Sequence, residues 1–276
     1  MTIFITLIVS AVAAWLIYDR LKRRRRTRLF SKPLPPAWTA ILEKNVPLYL
    51  RLPADLRARL HGCINLFLDE KEFFGCAGLA ITDEIRLTIA GNAAVLLLQR
   101  DDCRFPGFSS ILVYPDTFVA EEIHYDGQVE IHGHSARAGE SWQRGPVVLS
   151  WSDILHDVRN VNGGHNVILH EFAHKLDEEN EIMDGLPILR NKADYEAWAE
   201  VLRREYDSLQ KDIDQGRDTV LDGYGSVSPP EFFAVATEAF FEKPLEVKSE
   251  LPELYEQLER YYNLDPASWR RAGGAC

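Results

Sequence analysis

Val167-Ile168-Leu169-His170-Glu171-Phe172-Ala173-His174-Lys175-Leu176-Asp177 sets two histidines four residues apart in a largely apolar run. In a helix, residues i and i+4 share a face one turn apart. His170 and His174 therefore aim two imidazoles at one point, while Glu171 projects about 100° away beside them. That is a bidentate metal clamp with an adjacent carboxylate. Val167, Ile168, Leu169, Phe172, Ala173 and Leu176 make the rest of the helix a buried one, and Gly163-Gly164 permits its entry. Two histidines and a glutamate on so apolar a helix are costly unless something engages them. The HExxH pattern arises by chance in roughly one chain in a hundred of this length, and the bland alternative is a pair of surface or capped histidines with no third ligand.

A catalytic zinc takes three protein ligands and keeps one position open. The best source of the third is Ser228-Pro229-Pro230-Glu231-Phe232-Phe233-Ala234-Val235-Ala236-Thr237-Glu238. Two readings compete for Glu231. It is a metal ligand, or it completes a capping box S-x-x-E in which Ser228 is the N-cap and Pro229 the first helical residue. Glu238, two turns along on the same face, is the alternative ligand. Asp177, one turn past His174, either orients an imidazole or is a solvated helix charge.

Outward from the metal helix, apolar residues recur at three- and four-residue intervals over 54–68 and 83–99, which predicts two packed helices. Segments 110–114, 128–132 and 146–151 are short, β-rich and bounded by Gly, Pro and Asp, and they predict a small central sheet. Helical signals return over 193–215, 229–241 and 251–262. The fold class is α+β, mostly helical, preceded by one N-terminal transmembrane helix.

That last element rests on residues 2–18, TIFITLIVSAVAAWLIY, which carry no charge and span roughly 25 Å as a helix. Asp19-Arg20-Leu21-Lys22-Arg23-Arg24-Arg25-Arg26-Thr27-Arg28 follows, the reverse of the order in a cleaved signal peptide. The arrangement predicts a retained anchor over 1–18, a basic and proline-rich linker over 19–36 and a catalytic domain over 37–276. Basic residues beside a span stay cytoplasmic, so the expected location is the inner membrane, single-pass, with the catalytic domain facing the cytoplasm.

Of the 31 Lys and Arg, eight lie in the first 32 residues, so the remainder holds 23 basic against 41 acidic side chains. A body this acidic repels nucleic acid, and no nucleic-acid partner is expected. Cys63, Cys76, Cys103 and Cys276 form no CxxC pair and are expected to be free thiols.

His170-Glu171-Phe172-Ala173-His174-Lys175-Leu176-Asp177, the Ser141-Trp142-Gln143-Arg144-Gly145-Pro146 turn and Glu231-Phe232-Phe233-Ala234-Val235 resemble the Mlc titration factor A family of zinc metallopeptidases. The likeness covers most of the chain from about residue 37. The two end motifs are also similar to the catalytic domain of anthrax lethal factor, in which a tyrosine stands seven residues before the glutamate ligand, as Tyr224 does here. The resemblance implies a zincin-like domain with one catalytic zinc ion bound by His170, His174 and Glu231, Glu171 as general base and Tyr224 as oxyanion donor. It also implies a histidine ahead of the serine-tryptophan turn that approaches the metal in a resting form. Here that is His132, with His134 as rival.

On this reading the chain hydrolyses peptide bonds in a peptide or protein substrate, with aminopeptidase action as one mode. The family is named for sequestering a transcriptional repressor of sugar uptake, which gives the alternative: a partner-binding regulator in which proteolysis is secondary. A zinc-stabilised scaffold without activity is the third reading.

Overall fold

The computed structural model describes residues 2–116, 118–126, 129–137, 139–141, 145–160 and 163–269; side chains at 2, 3, 5–7, 9 and 118–141 are not among those described. In chain order the elements are α1 (Thr2–Phe30), α2 (Pro36–Asn45), α3 (Pro47–Arg51), α4 (Ala54–Glu70), β1 (Glu72–Gly75), α5 (Asp83–Val95), β2 (Ser110–Tyr114), β3 (Phe118–Asp126), β4 (Val129–Arg137), β5 (Gly139–Ser141), β6 (Val147–Ser150) and α6 (Trp151–Arg159). They continue with α7 (Val167–Asp177), α8 (Lys192–Asp214), α9 (Pro229–Glu242), α10 (Pro244–Glu250) and α11 (Pro252–Tyr262), and a 3₁₀ turn, Gly223–Ser226, precedes α9.

The central sheet has the order β1-β2-β6-β5, with β1, β2 and β6 parallel and β5 antiparallel at the edge beside β6. The strand expected near 128–132 belongs instead to a separate antiparallel hairpin of β3 and β4, and β1 takes its place in the sheet. Helix α5 ends at Val95 and not near residue 99, because residues 96–98 tighten into i−3 hydrogen-bonded turns.

Helix α7 is buried along its whole length, between α9 and α5, with β5 and β6 across it. Its cap is local chemistry: Asn166 Oδ1 accepts from the Leu169 N–H at 3.1 Å. Behind it, Phe172 packs at ring-centroid distances of 4.9 Å from Phe105 and 5.6 Å from Phe67. Helix α9 starts on Ser228, whose Oγ accepts from the Glu231 N–H at 3.4 Å, with prolines in its first turn.

The front of the chain departs from expectation. The apolar run and the basic collar form one unbroken helix, α1, whose basic half docks on the body through Arg25 to Asp69 and Arg26 to Glu70, while Arg26 also donates to the Asp102 carbonyl at 2.5 Å. α1 crosses α4 at Gly62, where an added Cβ would meet the Phe30 ring at 2.6 Å. The proline-rich stretch is seated as well: Leu34 is buried, and Asn65 Nδ2 donates to the Leu29 and Lys32 carbonyls. Among the described residues no helix is long and apolar enough to cross a membrane; Phe4, Ile8, Val12 and Trp15 to Tyr18 of α1 are exposed. The cysteines also differ from the expected free thiols. Cys63 and Cys103 are joined in a disulfide between α4 and the segment before β2, leaving Cys76 free among the described residues. They are 40 residues apart, so no local spacing announced the pair.

Candidate metal centre

Helices α7 and α9 bring His170, His174 and Glu231 together. His170 Nε2 lies 3.2 Å from His174 Nε2 and 2.9 Å from Glu231 Oε2, and His174 Nε2 lies 3.3 Å from the same oxygen. Among the described residues this is the group of side chains arranged to hold a metal ion. Zinc at about 2.0–2.1 Å from tetrahedral ligands holds neighbouring donor atoms about 3.3 Å apart, which two sides of the observed triangle match and the His170–Glu231 side would reach by a small widening. The donor set of two imidazoles and one carboxylate suits it too.

Only one arm of the expected capping box forms among the described contacts, which leaves the Glu231 carboxylate available to a metal. The Glu231 backbone N–H is capped by Ser228, while its carboxylate turns away from the cap toward the imidazoles. Burial alone would push Glu231 up; hydrogen bonds with His170 and His174 outweigh it and hold the carboxyl well below the usual range.

Glu238 is not a member of the triangle. Its Oε1 stands 2.7 Å from His170 Nδ1, the opposite ring nitrogen, and its Oε2 accepts from the Asn166 N–H at 2.5 Å. A carboxylate there fixes the imidazole so that Nε2 faces the metal position. Burial pulls His170 down, yet the Glu231 and Glu238 carboxylates outweigh burial and raise it well above its ordinary value. Burial pulls His174 down, and its Nδ1 has no partner among the described residues.

Glu171 is 4% exposed, and its Oε2 has no hydrogen-bond partner among the described residues. Burial pushes its carboxyl up to about 8. The Tyr224 ring stands 5.9 Å from that of His170, on the Gly223–Ser226 turn, which Asp222 caps by accepting from the Tyr224 N–H at 2.8 Å. Tyr224 is half exposed. It overlooks the triangle.

Asp177 does neither thing expected of it. It is fully buried, and its Oδ2 accepts from the Gly185 N–H at 2.8 Å. Gly185 has φ +79°, and a Cβ there would lie 2.6 Å from the Pro229 carbonyl oxygen, so this turn is pressed against the first residue of α9. His165 Nδ1 lies 3.3 Å from Glu238 Oε2 and 3.7 Å from Asp157 Oδ2, so it faces two carboxylates. His132 and His134 stand on β4, paired with Ile123 and Glu121; their side chains, and all of Trp142 to Arg144, lie outside the described residues.

Asn166 was not singled out by the sequence. It caps α7, holds Glu238 through its backbone and reaches Glu242 Oε1 through Nδ2 at 3.0 Å. An asparagine just before an apolar helical run is the signal that could have found it.

Residues 20–263 match the family described as glucose-regulated metallo-peptidase M90. An uncharacterized protein of a Synechocystis strain is 41% identical over 266 residues, 96% of this chain and 97% of its own length. The Mlc titration factor A proteins of Yersinia pestis and Yersinia pseudotuberculosis are each 32% identical over 226 residues, 80% of this chain and 83% of theirs. The resemblance read from the end motifs thus extends over most of the chain.

Proposed function

Because the chain belongs to the glucose-regulated metallo-peptidase M90 family, we propose that it hydrolyses peptide bonds with one zinc ion held by His170, His174 and Glu231. The observation that carries this reading is the triangle of donor atoms with the unpartnered Glu171 oxygen on the same helix.

Bound there, zinc supplies Lewis acidity, lowering the pKa of a water toward about 7. The chain's own residues do the rest. Glu171, buried beside the two histidines, takes the proton of the attacking water at its ionised carboxylate and delivers it to the leaving amine. The Tyr224 hydroxyl donates to the oxygen on which negative charge develops. Glu238 holds His170 in the tautomer that presents Nε2.

The test is Glu171→Gln against His174→Ala on a cleavable peptide with bound zinc measured in parallel. The expected result is that Glu171→Gln keeps zinc and loses most turnover, while His174→Ala loses both. Wild-type turnover by Glu171→Gln would remove the base assignment. N-acetylation of the substrate separates the modes, since aminopeptidase action requires the free amine.

A second reading is favoured by the name of the Yersinia relatives, Mlc titration factor A. In it the domain captures a transcriptional regulator of that kind and proteolysis is secondary. Retained capture by Glu231→Ala protein would support this reading. For location we propose attachment to the inner membrane through residues 2–18 with the domain on the cytoplasmic side, on the strength of their uncharged run and the basic residues after it. Fractionation with and without residues 1–18 tests it; an unchanged soluble distribution would sink it.

A further inference from the structure

The docking of α1 on the body sorts the basic collar into two sides. Arg25 and Arg26 are bound to Asp69, Glu70 and the Asp102 carbonyl, and Leu29 and Phe30 pack half-buried against the core. At about 100° per residue these four share one side of the helix. Arg20, Arg24 and Arg28, at i, i+4 and i+8, form a stripe on the opposite side, and all three are exposed. Asp19, the one acidic residue of the collar, lies off the stripe and is paired with Arg23 at 2.8 Å. The stripe therefore presents positive charge alone to whatever faces it.

Exposed arginines are solvated and need no partner, so what matters is where the stripe stands. Directly before it come Trp15, Leu16, Ile17 and Tyr18, each more than half exposed. Trp and Tyr beside an apolar run sit at the boundary between hydrocarbon and headgroups. With Tyr18 at that boundary, a rise of about 1.5 Å per residue carries Arg20 about 3 Å, Arg24 about 9 Å and Arg28 about 15 Å beyond it. The headgroup layer is roughly 5–8 Å deep. Arg20 lies inside that layer. Arg24 reaches back into it, because helical side chains lean toward the N-terminus and a guanidinium rides on a long stem. Arg28 stands clear of it.

The strongly acidic body is clamped to α1 at Arg25 and Arg26, about 12 Å past Tyr18, and an anionic surface at that distance repels it. The stripe lies between the two and offsets that repulsion. We propose that Arg20 and Arg24 bind the headgroups of anionic phospholipids and rank them above zwitterionic ones, with Arg28 taking little part. This assignment rests on membrane attachment through residues 2–18. Each arginine near such a surface favours it about fivefold, an effect that fades within a screening length of about 8 Å. A convex row without a pocket does not single out one free phosphate; it suits a surface that offers many. Nucleic acid would meet the same acidic body without the apolar contact of Trp15 to Tyr18 to offset it.

The test uses the full chain in vesicles that mix phosphatidylcholine with phosphatidylglycerol, one lipid or the other carrying brominated acyl chains, which quench a nearby indole. Trp15 is the reporter, and Trp15→Phe gives the blank for the indoles of the body. The expected result is phosphatidylglycerol favoured beside Trp15 at least about fivefold. That preference should vanish when Arg20→Gln and Arg24→Gln are combined, persist in Arg28→Gln and shrink at high salt. All three side chains are exposed, so the variants should melt with their parent. Equal quenching by the two lipids, or as large a loss in Arg28→Gln as in the double variant, overturns the assignment. So does abolition of the preference by added duplex DNA, which would give the stripe to nucleic acid. Quenching by neither lipid is a different failure: residues 2–18 then do not enter the bilayer, and the attachment falls together with what rests on it.

Discussion

His170 Nδ1 and Glu238 Oε1 stand 2.7 Å apart across the α7–α9 interface, 68 residues apart in sequence. The same carboxylate accepts from the Asn166 N–H, so the residue that caps the metal helix also anchors the group that aims its first imidazole. Glu231 and Glu238 thus divide the two ring nitrogens of His170 between them.

Removing each carboxylate should therefore have a different effect. Glu231→Ala should abolish stoichiometric zinc binding, whereas Glu238→Ala should retain it with affinity weakened roughly 10–100-fold. Competition with a chromophoric chelator measures both. A larger loss for Glu238→Ala would exchange the two roles.

Tyr224→Phe keeps the ring beside His170 and deletes one donor. Zinc affinity should be unchanged while the single-turnover rate falls by roughly 100-fold, the scale of one lost oxyanion contact. An unaltered chemical step would take Tyr224 out of the mechanism.

Asp177 gives a pH signature. Burial raises its carboxyl from 3.8 to about 7, so between those values the folded state holds a proton that the unfolded chain has released. Stability from this residue is fully present below about pH 4 and is lost as pH rises through 7, by up to a few kcal/mol. Asp177→Asn keeps an oxygen for the Gly185 N–H and removes the titration. Denaturant unfolding of metal-free protein at pH 4.5 and pH 8 should show a smaller fall for the variant; parallel behaviour would contradict the assignment.

Gly185→Ala should cost more than a left-handed glycine alone explains. Gly216 has φ +65° with nothing within 4 Å, so Gly216→Ala should cost about 1 kcal/mol. At Gly185 the added methyl also displaces the Pro229 carbonyl and with it the start of α9, so stability should fall by roughly 2–3 kcal/mol and zinc affinity with it. Equal costs at the two glycines would show that the turn does not position Glu231.

Much of the centre was legible because its information is local. The i, i+4 spacing of His170 and His174, the buried face around them and the Ser228-Pro229 helix start are written in consecutive residues, and the helices carrying them lie close to where periodicity put them. Choosing between Glu231 and Glu238 was not local. Both lie on one face of α9, and only the docking of α9 on α7 decides which carboxylate meets Nε2 and which meets Nδ1. The same holds for β1, four residues whose strand character comes from pairing with β2, and for Asp177, whose partner Gly185 lies past the end of its helix. The 63–103 disulfide likewise joins residues that only the tertiary fold brings near.

The unbroken α1, clamped by Arg25, Arg26 and the Gly62 crossing, gives the molecule a mast without a swivel. Any surface that grips its exposed residues Trp15 to Tyr18 fixes the tilt and height of everything behind it. The metal centre would then meet partners at one set depth, and a loop too short to rise to that depth would escape whatever its sequence.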